Sequence, residues 1–232
     1  MKKICLVLLL AFSFTIKSNA QLTDQQIAGI YYLDGVMEVG SGFRLLEDHT
    51  FEFFFSYGGL DRTGQGTWKA AGSNIVFDSE PWPGADFKII RQDHKKQKGI
   101  VIQVTDKNTM LLAYAGGIVS GDGNKMEFQT DQQGNAIVNL QTADTISLYH
   151  QFYSDQLSVF PVKDKKHNYF EFAFMPHLGT VYFKNFILEW KEQELSGGNP
   201  LLKEGATYQY KKSEWAEEST DWNSLKKTGA FC

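Results

Sequence analysis

Cysteine is almost absent from this chain, which carries two in 232 residues, Cys5 and Cys232. Cys5 lies in an apolar leader. Removal of that leader leaves one thiol, at the last position, and excludes an internal disulfide. A mature domain of this length can bury a core without one. Cys232 is open to an intermolecular disulfide or a free thiol, and a terminal residue without a role is the favoured reading. Long apolar runs are missing as well. The longest, Ile4–Ile16, falls short of the roughly 20 residues that a membrane-spanning helix needs. Long helical periodicity is scarce, with weak helix candidates only at Thr23–Gly29 and in the polar tail from Ser213. The familiar catalytic signatures are missing too. There is no H-E-x-x-H, no phosphate-binding loop and no dinucleotide fingerprint, and Gly40-Ser41-Gly42 lacks the spacing of a nucleophile elbow.

The leader that is present has three ordered parts. Met1-Lys2-Lys3 is positive, Ile4–Ile16 is apolar, and Ser18-Asn19-Ala20 puts small side chains where a signal peptidase cuts. This order predicts a signal peptide over 1–20, cleaved before Gln21, and a periplasmic or secreted protein. Cleavage removes Lys2, Lys3 and Lys17, leaving 20 Lys+Arg against 27 Asp+Glu, a formal −7. Such a charge repels phosphate backbones and anionic membranes, so nucleic acid is excluded as a partner. The basic run Lys95-Lys96-Gln97-Lys98 is read as a solvated loop.

What remains is β-patterned. Phe51, Phe53 and Phe55 alternate with Glu52, Phe54 and Ser56, a period of two that buries one face. Gly64–Ala70, Ile75–Phe77, Asp86–Arg91, Gly99–Thr105, Met110–Ala115, Lys125–Thr130, Asn135–Leu140, Thr145–Tyr149, Tyr169–Phe174 and Thr180–Trp190 read as further strands, with Gly- and Asn-rich turns between them. Pro81-Trp82-Pro83-Gly84 is a stop. The expected fold is all-β: an N-terminal antiparallel meander, as a partial barrel or curved sheet, followed by a β-sandwich. The boundaries read are 1–20 for the signal peptide, 21–92 for the meander, 99–211 for the sandwich and 212–232 for a polar tail. The charged stretch Gln92–Lys98 is taken as the break.

The runs Val104-Thr105-Asp106-Lys107-Asn108, Thr130-Asp131-Gln132-Gln133-Gly134-Asn135-Ala136 and Thr145-Ile146-Ser147-Leu148 resemble the successive hairpins of carboxypeptidase regulatory-like, or transthyretin-like, sandwich modules. The likeness covers roughly 99–175, with Asn108 standing where those modules have Gly. It implies a non-catalytic accessory or binding role. Gly29-Ile30-Tyr31-Tyr32 and Gly66-Thr67-Trp68 resemble, more faintly, lipocalin-like meanders. The whole chain is similar to an uncharacterised family of exported bacterial proteins of the Bacteroidetes type.

Candidate chemistry is sparse. His49, His94, His150, His167 and His177 show no mutual ligand spacing, so structural roles are expected for each. Asp122, Asn124 and Asp131 offer oxygen ligands for Ca²⁺, but turn chemistry explains them. Asp61-Arg62 reads as a local ion pair or turn. No metal, cofactor or catalytic residue is expected. The aromatics are the positive signal, and Tyr57, Trp68 and Trp82 are the candidate ligand-binding residues. The expected function is a non-enzymatic exported binding or accessory protein of the cell envelope, with an envelope protein, a glycan or a small apolar ligand as partner. The alternatives are a secreted hydrolase of glycan or peptide, using carboxylates or His177 in an interdomain cleft, and a lipocalin-like carrier. A hydrolase needs titratable groups converging in a pocket, a carrier needs a deep aromatic cavity, and a binding module needs an exposed aromatic patch.

Overall fold

The computed structural model describes residues 23–213. The signal peptide, the tail beyond Ser213 and Cys232 lie outside the described residues. The chain enters through one helical turn, α1 (Asp24–Ile27), with a capping box between Thr23 and Gln26. Five strands follow as an antiparallel meander: β1 (Gly29–Asp34), β2 (Val39–Leu45), β3 (Thr50–Tyr57), β4 (Leu60–Ala71) and β5 (Asn74–Asp78). The alternation read in β3 holds. Phe51, Phe53 and Phe55 are each under 5% exposed and point into one core.

The meander does not end as an open sheet. After β5 the chain leaves and returns as β15 (Phe186–Lys191), β16 (Glu194–Gly197) and β17 (Tyr208–Lys212). β15 pairs with β5, and β17 pairs with β1. With β16 between them, eight antiparallel strands close on themselves through the pairing of β4 with β5, which removes the long free edges of an open sheet. The interior is filled by rings. Phe43 lies 5.0 Å from both Phe53 and Phe77, and Phe183 lies 5.1 Å from Phe51 and 5.3 Å from Phe53.

Phe183 reaches this core by an unusual route. The strand expected over Thr180–Trp190 is broken into β14 (Thr180–Val181), a kink with Asn185 at φ 47°, and β15. β14 runs parallel to β4 beside Thr63 and Gly64. Opposite it, a Cβ on Gly64 would lie 2.7 Å from the Phe183 ring and from the Val181 carbonyl. Glycine there is the room that Phe183 occupies.

The chain between β5 and β14 forms two four-stranded sheets. One has the order β10 (Asn135–Val138), β7 (Ile100–Thr105), β13 (Tyr169–Phe174), β6 (Phe87–Asp93), with β13 parallel to β7. The other has the order β12 (Ser158–Pro161), β11 (Thr145–His150), β8 (Ala115–Gly121), β9 (Asn124–Gln129). Ile100, Ile102, Val104, Ile146, Leu148, Phe170 and Phe172 pack between them in a core separate from that of the barrel.

The all-β architecture is as read, but the boundaries differ. The second unit expected over 99–211 instead sits inside the first, because β15–β17 complete the barrel. The stretch 92–98 is no break; it is the end of β6 and the loop that leads to β7 within the sandwich. The junctions are two pinch points. Ser79 N–H donates to Phe183 O at 2.8 Å where the chain leaves and rejoins the barrel, and Met175 N–H donates to Asp86 O at 2.8 Å where it enters and leaves the sandwich. The proline-rich stop at 81–84 lies between the two. Met110–Ala115, expected as a strand, is a 3₁₀ turn (Thr109–Tyr114). Asn108 caps it, its side chain accepting from Met110 N.

Candidate functional site

The three candidate aromatics part company. Trp68 is 2% exposed, donates its indole N–H to Leu46 O at 2.9 Å, and packs against His49. It is a barrel core residue, which corrects its reading as a ligand contact. Trp82 is half-buried in the linker between the pinch points and donates to Asp86 Oδ1 at 2.9 Å. Tyr57 ends β3 and is 50% exposed. It stands at the mouth of a recess of about 560 Å³ between the barrel end and the sandwich.

Three parts of the chain build that recess. From the barrel come Met37 and the Tyr57–Leu60 hairpin. From the loop before β17 come Leu201 and Leu202. From the sandwich comes Phe152, just after β11. Met37 is 87% exposed and Phe152 44%. Phe152 also packs at a tilt against Tyr114, ring centroids 4.8 Å apart, which extends the apolar surface over the sandwich. Each piece is held from below. Buried Asn199 donates to Ser41 Oγ at 3.1 Å and accepts from Leu201 N at 2.9 Å, fixing the leucine pair against β2. Arg62, 4% exposed at the foot of the recess, forks onto both oxygens of Asp155 at 2.8 and 2.7 Å. Its Nε–H also donates to Gly179 O at 3.2 Å. Arg62 therefore pairs across the junction rather than with its sequence neighbour Asp61, which corrects that reading.

His150 lies under Phe152 and is fully buried. Its Nδ1 accepts from Phe152 N at 3.3 Å, so Nε2 carries the proton and donates to Leu111 O at 3.2 Å. Burial holds its pKa below the ordinary value of 6.5. The neutral imidazole is a structural strut beneath the aromatic surface.

A larger cleft of about 1070 Å³ runs along the outer face of β4 toward the linker. Thr63, Gln65, Asp78, Glu80, His177 and Tyr182 line it. This is the interdomain cleft expected to hold His177. Most of its chemistry is already engaged. His177 Nε2 bonds Ala85 O at 2.8 Å, and Asp78 accepts from Asn185 N at 2.8 Å. The Ser79 hydroxyl donates to Gln65 O at 2.7 Å and accepts from Phe183 N at 3.2 Å. Glu80 is exposed and makes no hydrogen bond or ion pair among the described residues.

The oxygen cluster weighed for Ca²⁺ is used by turns. Asp122 accepts from Gln141 N, Thr142 N and the Thr142 hydroxyl, and Asp131 accepts from Gln133 N and Asn135 N. Among the described residues, no group of three His, Cys, Asp or Glu side chains is placed to share a metal ion. Sequence reasoning missed Met37, Phe152, Leu201 and Leu202. They are one or two apolar residues in separate loops, and only closure of the barrel around the inserted sandwich brings them together. Against known proteins, no family model, curated sequence or solved structure matches this chain.

Proposed function

We propose that this chain is a non-enzymatic exported binding or accessory module of the cell envelope, and that it holds a partner protein by the recess at the barrel–sandwich junction. One observation carries the reading: Met37, Tyr57 and Phe152 stand exposed around a single recess whose walls are pinned from two sheets. Large apolar side chains gathered at one exposed place on a fixed scaffold are the mark of an interaction surface. The ring-filled barrel supports this over a carrier, which needs interior space for its ligand. The resemblance of 99–175 to accessory sandwich modules points the same way.

Selection of peptides from a random display library on the full chain tests it. Enriched peptides should carry aromatic or aliphatic anchors and lose at least tenfold in affinity for the Tyr57→Ala/Phe152→Ala chain, about 1.4 kcal/mol, while the unfolding midpoint stays put. Peptides indifferent to both substitutions would overturn the proposal. N-terminal sequencing of the exported protein, expected to begin at Gln21, checks the export half.

A hydrolytic use of the larger cleft is the second reading, favoured by Glu80 and His177 lining the same cavity. It requires turnover of a glycan or peptide that Glu80→Gln abolishes.

A further inference from the structure

Two lysine-rich loops, distant in sequence, form one end of the sandwich. Segment 93–99 joins β6 to β7, and segment 162–168 joins β12 to β13. Asp93 is the strand partner of Tyr169, so the first loop starts where the second ends. Asn168, 8% exposed, clasps them. Its Oδ1 accepts from Lys95 N at 2.8 Å, and its Nδ2 donates to Lys95 O at 3.0 Å and Gln97 O at 3.3 Å. Its backbone N–H donates to Asp93 O at 3.0 Å. His94 Nδ1 lies 2.8 Å from Lys166 O.

The clasp gathers charge that the sequence spreads out. The two segments carry six lysines, Lys95, Lys96, Lys98, Lys163, Lys165 and Lys166, against Asp93 and Asp164. The remaining described residues carry 12 Lys+Arg against 21 Asp+Glu. Some of the six are engaged: Lys95 sits 3.0 Å from the centroid of the Tyr169 ring, and Lys165 pairs with Asp144. Lys96, Lys98, Lys163 and Lys166 are exposed and make no ion pair among the described residues. The described residues are thus acidic with a basic pole at this end of the sandwich, which the whole-chain charge conceals.

We propose that this pole docks the protein onto an anionic lipid surface. The cations of the two loops are all lysine; the neighbouring Arg91, which shares the Tyr169 ring with Lys95, is paired with Glu171. Ammonium groups on long flexible stems act as point charges and lack the planar fork that grips one fixed phosphate. They suit headgroups that rearrange beneath them. The acidic remainder adds direction, because a charged plane attracts the pole, repels the rest and so orients the molecule. This surface is separate from the junction recess, so either proposal can fail alone.

Co-sedimentation of the chain lacking its leader with lipid vesicles tests the docking. Vesicles with roughly one third phosphatidylglycerol in phosphatidylcholine should bind it at about 50 mM salt and release it at about 500 mM, whereas pure phosphatidylcholine should not bind. Lys96→Glu/Lys98→Glu/Lys166→Glu should weaken binding more than tenfold. Lys125→Glu/Lys184→Glu/Lys203→Glu, the same charge change elsewhere, should leave it within about twofold. Absence of vesicle binding, equal losses in the two triple variants, or retention on a sulfated polysaccharide without vesicle binding would each overturn the proposal.

Discussion

His150 and Arg62 illustrate two ways of burying a titratable side chain. Arg62 is met at its guanidinium by both carboxylate oxygens of Asp155 and by two backbone carbonyls, those of Gly179 and Thr180. His150 gives its charge up, and its two ring nitrogens serve one donor and one acceptor of the backbone. The second solution makes stability depend on pH. The native pKa is depressed by burial below 6.5, so the unfolded chain takes up the proton first as pH falls. The contribution of the neutral ring is complete above about 6.5 and is lost below it as the native value is approached. Thermal unfolding measured between about pH 7.5 and pH 5 should show a falling Tm. The His150→Gln variant, which has no group titrating there, should show a smaller decline. An identical decline would mean that other groups set the dependence.

At the scale of the element, β4 shows how a strand can be shaped by what passes beside it. Its inward positions run Arg62, Gly64, Gly66, Trp68: two large side chains at the ends and two hydrogens in the middle. The gap at Gly64 admits Phe183, which is 4% exposed and central to the ring cluster, while Gly66 makes room for the Asp78 carbonyl and the Phe51 ring. Gly64→Ala should cost about 1–3 kcal/mol, as overpacking does when the neighbour is backbone on one side and a packed ring on the other. Urea unfolding of the single variant, and of the same variant combined with Phe183→Ala, checks this. The alanine at 64 should cost less once the ring is gone, because the clash with Val181 O alone remains. Equal cost in both backgrounds would show that Phe183 and Gly64 are not coupled.

At the scale of the whole molecule, the sandwich is an insertion between β5 and the strands that close the barrel. The ends of the insertion meet at Asp86 and Met175, and its core is its own. A domain with a separate core and adjacent termini folds without its host. Residues 85–176 expressed alone should therefore give a cooperative thermal transition and a dispersed amide spectrum. Collapse of that fragment into aggregates would show that the barrel, through Arg62 and Asp155, is needed to hold it.

The sequence by itself determined the local order of this protein. The alternation Phe51, Phe53, Phe55 and again Phe170, Phe172, Phe174 makes these segments strands, and turn residues such as Asp122-Gly123 make hairpins, because both signals act over a few neighbouring residues. Tyr57, beside Gly58-Gly59, was legible as the end of its strand for the same reason. Closure of the barrel by β15–β17 was not, since it joins β1 to β17 across the whole chain. Pairing at that distance depends on where the insertion returns the chain, which no local pattern encodes. The recess and the lysine pole belong to the same class. Met37, Phe152 and Leu201 are unremarkable singly, as are two lysine-rich loops. Strand pairing and one buried asparagine place them together, and that placement exists only in the tertiary structure.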